Sequence, residues 1–441
     1  MSSVPTAAPA RVALKAARSP SQTKLLPLRL DRHELAGGVG DIAIMIPLAC
    51  GVATVAHLSL VTVFLCVAAS YAATALVFRV PVPVQPMKAM AASIIALGLS
   101  SSVVGAAGIE IAVLLLLLAF TPAADYLARL FPKAVVRGTQ LSIGLLLVKS
   151  AFTMAAKFKA LPVHLSLQLG PATITAGVLV ALFTLIVLFA GRGRRRLPAG
   201  LLVVGLGALG GVVLLAAGLA HAAPVPTHVS LPILHLSAQD AWIALFALVL
   251  PQVPLSLGNA VFATEDALRH YYGPAARRAT PANLCLSMGL MNVGCGLLGG
   301  MALCHGSGGA TAHYRLGART AGATLCAAGL YFALAGAAAF GASPLLIPGA
   351  VLGGMLLFVG VEHCLLVADL ATLDEMLCAA LIAVIALAFG NLAIGFLVGW
   401  AAYMGLKRTP LARVALRWPR VTEQLAPHSA TRPATARVRA R

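Results

Sequence analysis

The chain has 441 residues, of which 60% are hydrophobic and only 10% are charged. Soluble domains carry roughly 25% charged residues, and a soluble fold could not cover this much apolar surface. The composition therefore excludes a soluble globular protein and indicates closely packed membrane spans. The formal net charge of +19 could suit nucleic acid, but the basic residues lie at the chain ends and in short clusters between apolar runs. That distribution argues against nucleic-acid binding.

Apolar runs separated by short polar segments predict about fourteen membrane spans from residue 34 to residue 406. In chain order the predicted spans are 34–56, 58–78, 80–100, 108–130, 133–152, 172–191, 198–219, 240–262, 281–300, 301–316, 320–340, 348–367, 375–389 and 391–406. The third and the tenth are predicted to be broken by prolines or glycines. The prediction is an all-α polytopic membrane protein.

The basic clusters predict the orientation of the spans. Connections such as 97–108 and 220–238 carry almost no basic residues, whereas the connections between them are basic. This alternation follows the positive-inside rule and places both termini in the cytoplasm, which requires an even number of crossings. Residues 1–33 are predicted to be a disordered basic tail, with an organelle transit peptide as the alternative, and residues 407–441 to be a second basic tail.

Cysteines and histidines give little indication of a metal site. The eight cysteines lie mostly in apolar runs with no C-x-x-C pair, so they are expected to be small hydrophobic residues. His305 beside Cys304 could be half of a metal site, but no second ligand pair at helical spacing lies nearby. We therefore expect no metal and no cofactor. An enzyme that uses Lys88 and His305 as acid and base is a disfavoured alternative.

The two halves of the chain resemble each other. Placing Pro132 on Pro348, an offset of 216 residues (348 minus 132), also aligns further alanine, valine, glycine and leucine positions of the two segments. We interpret residues 34–219 and 240–406 as two repeats; with about seven spans each, the second enters the membrane in the opposite direction. The same offset places Lys88 on Cys304.

The two broken spans predict an anion site. Pro81 and Pro83 favour extended backbone, and Pro86 suits the first turn of a helix through residues 87–97. In the partner segment 299–309, glycines allow backbone to approach a ligand. Two half-helices with facing positive N-terminal ends would favour an anion, and Lys88 adds a full positive charge. The alternatives are that Lys88 snorkels to the interface and that the glycines serve tight helix packing.

Other polar residues in apolar surroundings complete the candidate site. Gln252 and Asn259 are seven positions apart and should share a helix face. Asp41 is a candidate for proton coupling, or equally a surface group near a helix end. The candidate substrate-binding residues are Gln85, Met87, Lys88, Gln252, Asn259, His305, Gly306, Ser307, Gly308 and Gly309.

The segments PVPVQPMKAMAA and CHGSGGATAHYRLGART resemble the paired signature segments of the molybdate transporter family, relatives of the sulfate permeases. The resemblance extends over essentially the whole membrane region. It implies two inverted seven-span repeats, a core domain (spans one to four and eight to eleven) and a gate domain (five to seven and twelve to fourteen). Substrate would lie between the half-helices of spans three and ten.

Two departures from the sulfate permeases affect what the resemblance implies. Asn259 stands where those permeases commonly have a glutamate in the eighth span, which puts proton coupling through that residue in doubt. Their soluble regulatory STAS domain is not expected here.

The resulting hypothesis is a secondary active transporter of a tetrahedral oxyanion by alternating access, in the cell membrane, or in the inner membrane if the source is bacterial. Molybdate is preferred over sulfate only because of the resemblance. A sulfate or other anion permease, a nucleobase transporter and, less favoured, an anion channel remain alternatives. The expected partners are the oxyanion and the lipid bilayer, and a homodimer is left open.

Overall fold

The structure, a computed structural model, describes residues 28–121, 123, 132–156, 167–169, 172–191, 199–218, 236–340, 347–389 and 392–406. Its first half contains α1 Arg32–Gly38, α2 Ile42–Ala56, α3 Leu60–Phe78, β1 Gln85–Pro86, α4 Lys88–Leu97, α5 Ser101–Ala119, α6 Lys133–Ala156, β2 Leu167–Leu169, β3 Ala172–Ile174, α7 Ala176–Ala190 and α8 Ala199–Ala216.

The second half begins with one long helix, Ala238–Arg278. Within it, α9 Ala238–Ile243, α10 Leu250–Leu255 and α11 Thr264–Tyr272 alternate with π-helical segments Ala244–Val249 and Ser256–Ala263, and a 3-10 turn Gly273–Arg278 ends it. The remaining elements are α12 Pro281–Leu298, β4 Leu303–Cys304, α13 Ser307–Leu316, α14 Gly322–Ala339, α15 Gly349–Leu365 with a 3-10 turn Leu366–Asp369, α16 Leu373–Phe389 and α17 Leu392–Leu406.

Many of these helices are suited to a bilayer. Seven helices in the described part of the chain are long and apolar enough to cross a membrane. They are Leu60–Phe78, Ser101–Ala119, Lys133–Ala156, Ala238–Arg278, Pro281–Leu298, Gly322–Ala339 and Gly349–Asp369. Shorter apolar helices lie between them, including those of the two broken spans. The helical multi-pass class is thus confirmed, while fourteen spans in inverted repeats remain a prediction.

Some predicted boundaries were wrong. The fourth span was predicted from residue 108, but α5 begins at Ser101 because the Ser100 side chain accepts the amide of Val103 and caps the helix. Gly98, at a φ of +67°, ends α4 just before it, so the connection between the two helices is short. The eighth span was predicted to end at residue 262, yet the long helix continues to Arg278.

The start of the described chain is anchored to the second half. The Asp31 side chain accepts the amides of His33 and Glu34, which holds its pKa below the ordinary value and starts α1 inside the predicted tail. The buried Glu34 carboxylate accepts amides at the start of α14, from Thr320 at 2.9 Å and Ala323 at 3.1 Å. The rest of the predicted tails, residues 1–27 and 407–441, lies outside the described residues.

The helices pack in two groups. In one group α3 packs against α14, α5 against α12, and α1 against α13 and α14. In the other α6 packs against α15 and α16, α7 against α15, and α16 against α17. Contacts of α4 with α6 join the two groups. We call the first the core group and the second the gate group; the division into core and gate domains that the resemblance implies stays a prediction.

Candidate functional site

The two broken spans meet as a short antiparallel strand pair. In this pair β1 faces β4, with Gln85 opposite Cys304 and Pro86 opposite Leu303. The Met87 amide extends the pairing by donating to the Ala302 carbonyl at 2.9 Å. The prolines that precede β1 lack amide donors and restrict the chain to extended backbone, so a helix cannot continue through this point. The expected extended entry is present, and it is paired with its counterpart.

A ten-residue helix follows each strand. The helix α4 starts at Lys88 after Met87, and α13 starts at Ser307 after Gly306. The first residues differ by 219 positions (307 minus 88), so the offset of 216 does not hold at the breaks. Intrahelical bonding to these caps begins with Ala91 to Met87 and Ala310 to Gly306. The three amides before each of these donors lie outside the intrahelical ladder and make both helix starts positive.

Lys88 is held inside the bundle by a chain of polar side chains. Its Nζ donates to Gln85 Oε1 at 2.7 Å, and Gln85 Nε2 donates to Asp41 Oδ1 at 2.6 Å. Asp41 Oδ2 accepts the Tyr71 hydroxyl at 3.1 Å and lies 3.1 Å from His313 Nε2. Gln85, Asp41 and His313 are buried and Lys88 is half-buried. The structure thus brings together Lys88, Gln85 and Asp41 from the predicted set, and directs the ammonium toward Gln85.

The long helix contacts both half-helices. Gln252 Oε1 accepts the amides of Ala89 at 3.1 Å and Met90 at 3.4 Å, which occupies two free donors of α4. Asn259 Oδ1 accepts the Ser307 hydroxyl at 2.7 Å at the start of α13. Asn259 lies in a π-helical segment. Both side chains nevertheless face the crossing, the place where the two broken spans meet, as their spacing predicted. Their contacts differ: Gln252 binds α4 and Asn259 binds α13.

The three glycines of α13 and its cap have different surroundings. A Cβ at Gly306 would lie 2.5 Å from Gln85 Oε1, and one at Gly309 would lie 2.6 Å from Gln85 Nε2 and 2.7 Å from Asp41 Oδ2. Both positions therefore make room for Gln85. At Gly308 a Cβ would meet nothing within 4 Å, and the residue is exposed. The helix start of α13 therefore borders open space at Gly308.

Two predicted ligands direct their side chains into the protein. His305 Nδ1 donates to the Pro83 carbonyl at 2.8 Å, and its Nε2 lies 3.3 Å from the Ser287 hydroxyl, which can donate to it. The ring is fully buried. Met87 belongs to the apolar core. In this arrangement His305 fastens the two broken segments together, and Met87 packs beneath α4.

Sequence reasoning missed Tyr71 and His313, which complete the series of hydrogen-bonded polar side chains that begins at Lys88. His313 is inside the second signature segment, six residues after Ser307, so its position close to the break was a usable signal. Tyr71 lies in an apolar run with no sequence feature that indicates a role. Its hydroxyl reaches Asp41 only because α3 packs beside the crossing.

The described residues contain no group of three or more histidine, cysteine or acidic side chains that could hold a metal ion. All eight cysteines are free thiols; six are buried and two are half-buried. Their burial in apolar surroundings agrees with the expectation of small hydrophobic residues.

The sequence matches a family model described as "Molybdate transporter of MFS superfamily" over residues 33–147 and 244–362. The chain belongs to the molybdate transporter family. It is 30% identical to Molybdate transporter 2 of Arabidopsis thaliana over 412 residues, which cover 85% of this chain and 87% of that protein. It is 37% identical to Molybdate transporter 1 of Chlamydomonas reinhardtii over 187 residues, 39% of this chain and 35% of that protein. The family consists of transporters and not of enzymes.

Comparison with solved structures shows the fold of this member of the molybdate transporter family. The transmembrane domain of a cyanobacterium bicarbonate transporter, BicA, superposes with a TM-score of 0.55 at 18% identity, covering 86% of this chain and 99% of that one. The murine Slc26a9 anion transporter in its inward-facing state superposes with a TM-score of 0.59 at 15% identity, covering 89% and 73%. The fold is therefore the one shared by these transporters, as the resemblance to sulfate permeases implied.

Proposed function

We propose that this protein is a secondary active transporter of a tetrahedral oxyanion, with molybdate as the preferred substrate. The single observation that carries the proposal is the crossing itself, where the starts of α4 and α13 lie beside Lys88 and open space at Gly308. Free amides at a helix start and a half-buried ammonium form a site for a negative charge. The names of the curated relatives support molybdate.

The proposed ligands divide into two groups by their contacts. Lys88, the Ser307 hydroxyl and the amides of residues 307–309 would contact the anion, and Asn259 would orient Ser307. Gln85, Gln252, His305 and Gly306 would act as positioning residues, since their polar groups or their lack of a Cβ hold the two helix starts in place. A dianion would offset the cost of the partly buried ammonium.

In the proposed mechanism the core group of helices carries the anion past the gate group between outward and inward states, and the substrate undergoes no chemical change. The basic connections and both termini would face the cytoplasm of the cell membrane. Lys88 disfavours a neutral nucleobase as substrate. Sulfate has the same shape and charge as molybdate, so it is the competitor that a test must include.

Uptake by the purified protein in liposomes tests the proposal. Labelled molybdate is supplied outside and competed with tungstate, sulfate and uracil. We expect uptake that tungstate and molybdate suppress and that uracil does not. Lys88→Ala should lower the apparent affinity at least tenfold, since a charge-assisted contact contributes about 1.5–3 kcal/mol. Lys149→Ala removes an exposed lysine of α6 and is the matched control.

Three results would contradict the proposal. Uptake by Lys88→Ala equal to that of the control would remove Lys88 from the anion site. Transport of uracil alone would refute the anion substrate. Large unitary currents in electrical recordings would indicate a channel with a continuous pore instead of a carrier.

A further inference from the structure

A fully buried pair of titratable side chains lies behind the proposed anion site. The exposed fractions of the His313 and Asp41 side chains are 0% and 1%, and His313 Nε2 is 3.1 Å from Asp41 Oδ2. The pair joins α13 to the start of α2 across the crossing of the broken spans. A buried charge without a partner is costly, so the net charge of this pair depends on the polar and charged groups that surround it.

The hydrogen-bond partners determine how many protons the pair holds. His313 Nδ1 lies 2.7 Å from the Gly37 carbonyl, which can only accept, so Nδ1 carries a hydrogen. Nε2 and Asp41 Oδ2 can then form a hydrogen bond only if one further proton lies between them. That proton makes the pair either imidazolium with carboxylate or imidazole with carboxylic acid. Both forms are neutral overall, and loss of the proton would leave one negative charge.

We propose that Asp41 and His313 form a proton-binding site that is coupled to anion binding at Lys88. This inference rests on the proposed anion transport and identifies the proton as a second ligand. Asp41 alone was a candidate from the sequence; the pairing with His313 and the connection to Lys88 come from the structure.

Gln85 provides the connection. Its Nε2 donates to Asp41 Oδ1, so its carbonyl oxygen is turned toward the Lys88 ammonium. With the proton in place, the cluster of the pair and Lys88 has one net positive charge. Without the proton, the negative pair cancels the charge of Lys88. An arriving dianion is therefore attracted more strongly to the protonated form.

Several titratable or charged side chains face the pair from the neighbouring elements. They are the Tyr71 hydroxyl from α3, Lys88 from α4, Cys304 from β4 and Tyr331 from α14, whose ring stacks on Tyr71 at 5.7 Å. From α1 the pair meets the Gly37 carbonyl. Tyrosine and cysteine are ordinarily neutral near neutral pH and lysine is charged, whereas histidine and aspartate change charge below it.

Binding of molybdate to the purified full chain, measured by calorimetry across the range in which histidine titrates, about pH 5 to 8, tests the inference. The wild-type affinity should fall as pH rises, by up to about tenfold per pH unit for one linked proton. Repeating the titration in buffers of different ionisation enthalpy should show proton uptake on binding wherever the pair is partly deprotonated.

Two variants and a control locate the proton. Asp41→Asn and His313→Gln keep polar side chains but each removes one of the two groups that share the proton, so the affinity of both for molybdate should lose most of the wild-type dependence on pH between about pH 5 and 8. His270→Gln removes an exposed histidine at the end of the long helix and should keep the wild-type pH dependence.

The outcomes separate this inference from the proposed function. Wild-type binding with a pH-independent affinity and no proton uptake would overturn the proton site and leave anion binding intact. Retention of the wild-type pH dependence by both variants would also overturn it. Failure of every oxyanion to bind at any pH would overturn both proposals. If a variant does not fold, the proton uptake of the wild type on molybdate binding still tests the inference.

Discussion

At the scale of single residues, three glycine positions at the start of α13 have different tasks. Gly306 and Gly309 lie against Gln85, where an added Cβ would come within 2.5 and 2.6 Å of its side-chain atoms. Gly308 borders open space. The distinction follows from helix geometry, because successive residues of a helix face different directions. One side of this helix start packs on the polar side chains of Gln85 and Asp41, and the other side is available to a ligand.

We predict opposite effects for alanine at two of these positions. Gly309→Ala should displace Gln85 from Asp41 and destabilise the protein by about 1–3 kcal/mol through overpacking, with loss of uptake. Gly308→Ala should keep or slightly raise stability, since alanine favours a helix, but should weaken anion affinity by filling the open space. Thermal unfolding in detergent and uptake in liposomes measure the two effects. Unchanged anion affinity in Gly308→Ala would show that the open space at Gly308 is not where the anion binds.

At the scale of elements, the long helix holds the two half-helices in place. Pro251 and Pro254 lack amides, and π-helical segments lie on both sides of α10. Gln252 caps α4 and Asn259 holds Ser307 of α13. Because one helix contacts both starts, their relative position depends on this helix as well as on the strand pair.

A second prediction tests whether the start of α4 attracts the anion. Gln252→Glu keeps the shape of the side chain and places a carboxylate at the amides of Ala89 and Met90. A negative charge at a helix start is favourable by about 0.3–1 kcal/mol, but Gln252 is buried and the carboxylate loses hydration there, so thermal stability should fall modestly while the protein still folds. Anion affinity should fall at least tenfold, because the carboxylate cancels the positive potential of α4.

Asn283→Asp is the control for that experiment. It adds the same charge in the first turn of α12, at an exposed position. Unchanged affinity in Gln252→Glu would show that the potential of α4 does not act on the substrate.

At the scale of the whole molecule, the proposed movement requires the two groups of helices to slide against each other. Helix α2 packs against α3 and α4 on the side of the first group. Part of the contact between the two groups is a small apolar cluster of Ile42, Ile46 and Cys50 from α2 with Ile347 and with Leu352 of α15. This surface is apolar and has no interlocking charges among the residues of the cluster. It could therefore separate without leaving buried ions unpaired.

We predict that a covalent link across this surface stops transport. Leu352→Cys places a second thiol in the cluster of Cys50, and reducible bifunctional thiol reagents of increasing length are used to join the two. Uptake should fall with the fraction joined and recover after reduction, because alternating access needs relative movement of the two groups. Leu352→Cys combined with Cys50→Ala is the control. Continued uptake by the joined protein would contradict movement at this surface.

Sequence patterns determined the class and the place of the candidate site. Apolar runs and sparse charge require a bilayer, since no soluble fold covers such a surface. The prolines of the first break and the glycines of the second predicted interrupted helices, because proline lacks an amide and glycine imposes few backbone limits. The family followed from the two signature segments. The boundaries of the fourth and eighth spans could not be read correctly, because a serine cap and a continuing helix leave little trace in hydropathy.

Only the tertiary structure decided which side chains meet. His305 and His313 are both histidines beside the same break, yet one binds the Pro83 carbonyl and the other binds Asp41. Tyr71 joins the site from an apolar run without any signal of its own. Local composition determines where a helix breaks, since that depends on backbone sterics and hydrogen bonding. The partner of each polar group depends on how distant helices pack, because burial leaves a polar group only the partners that packing brings within reach.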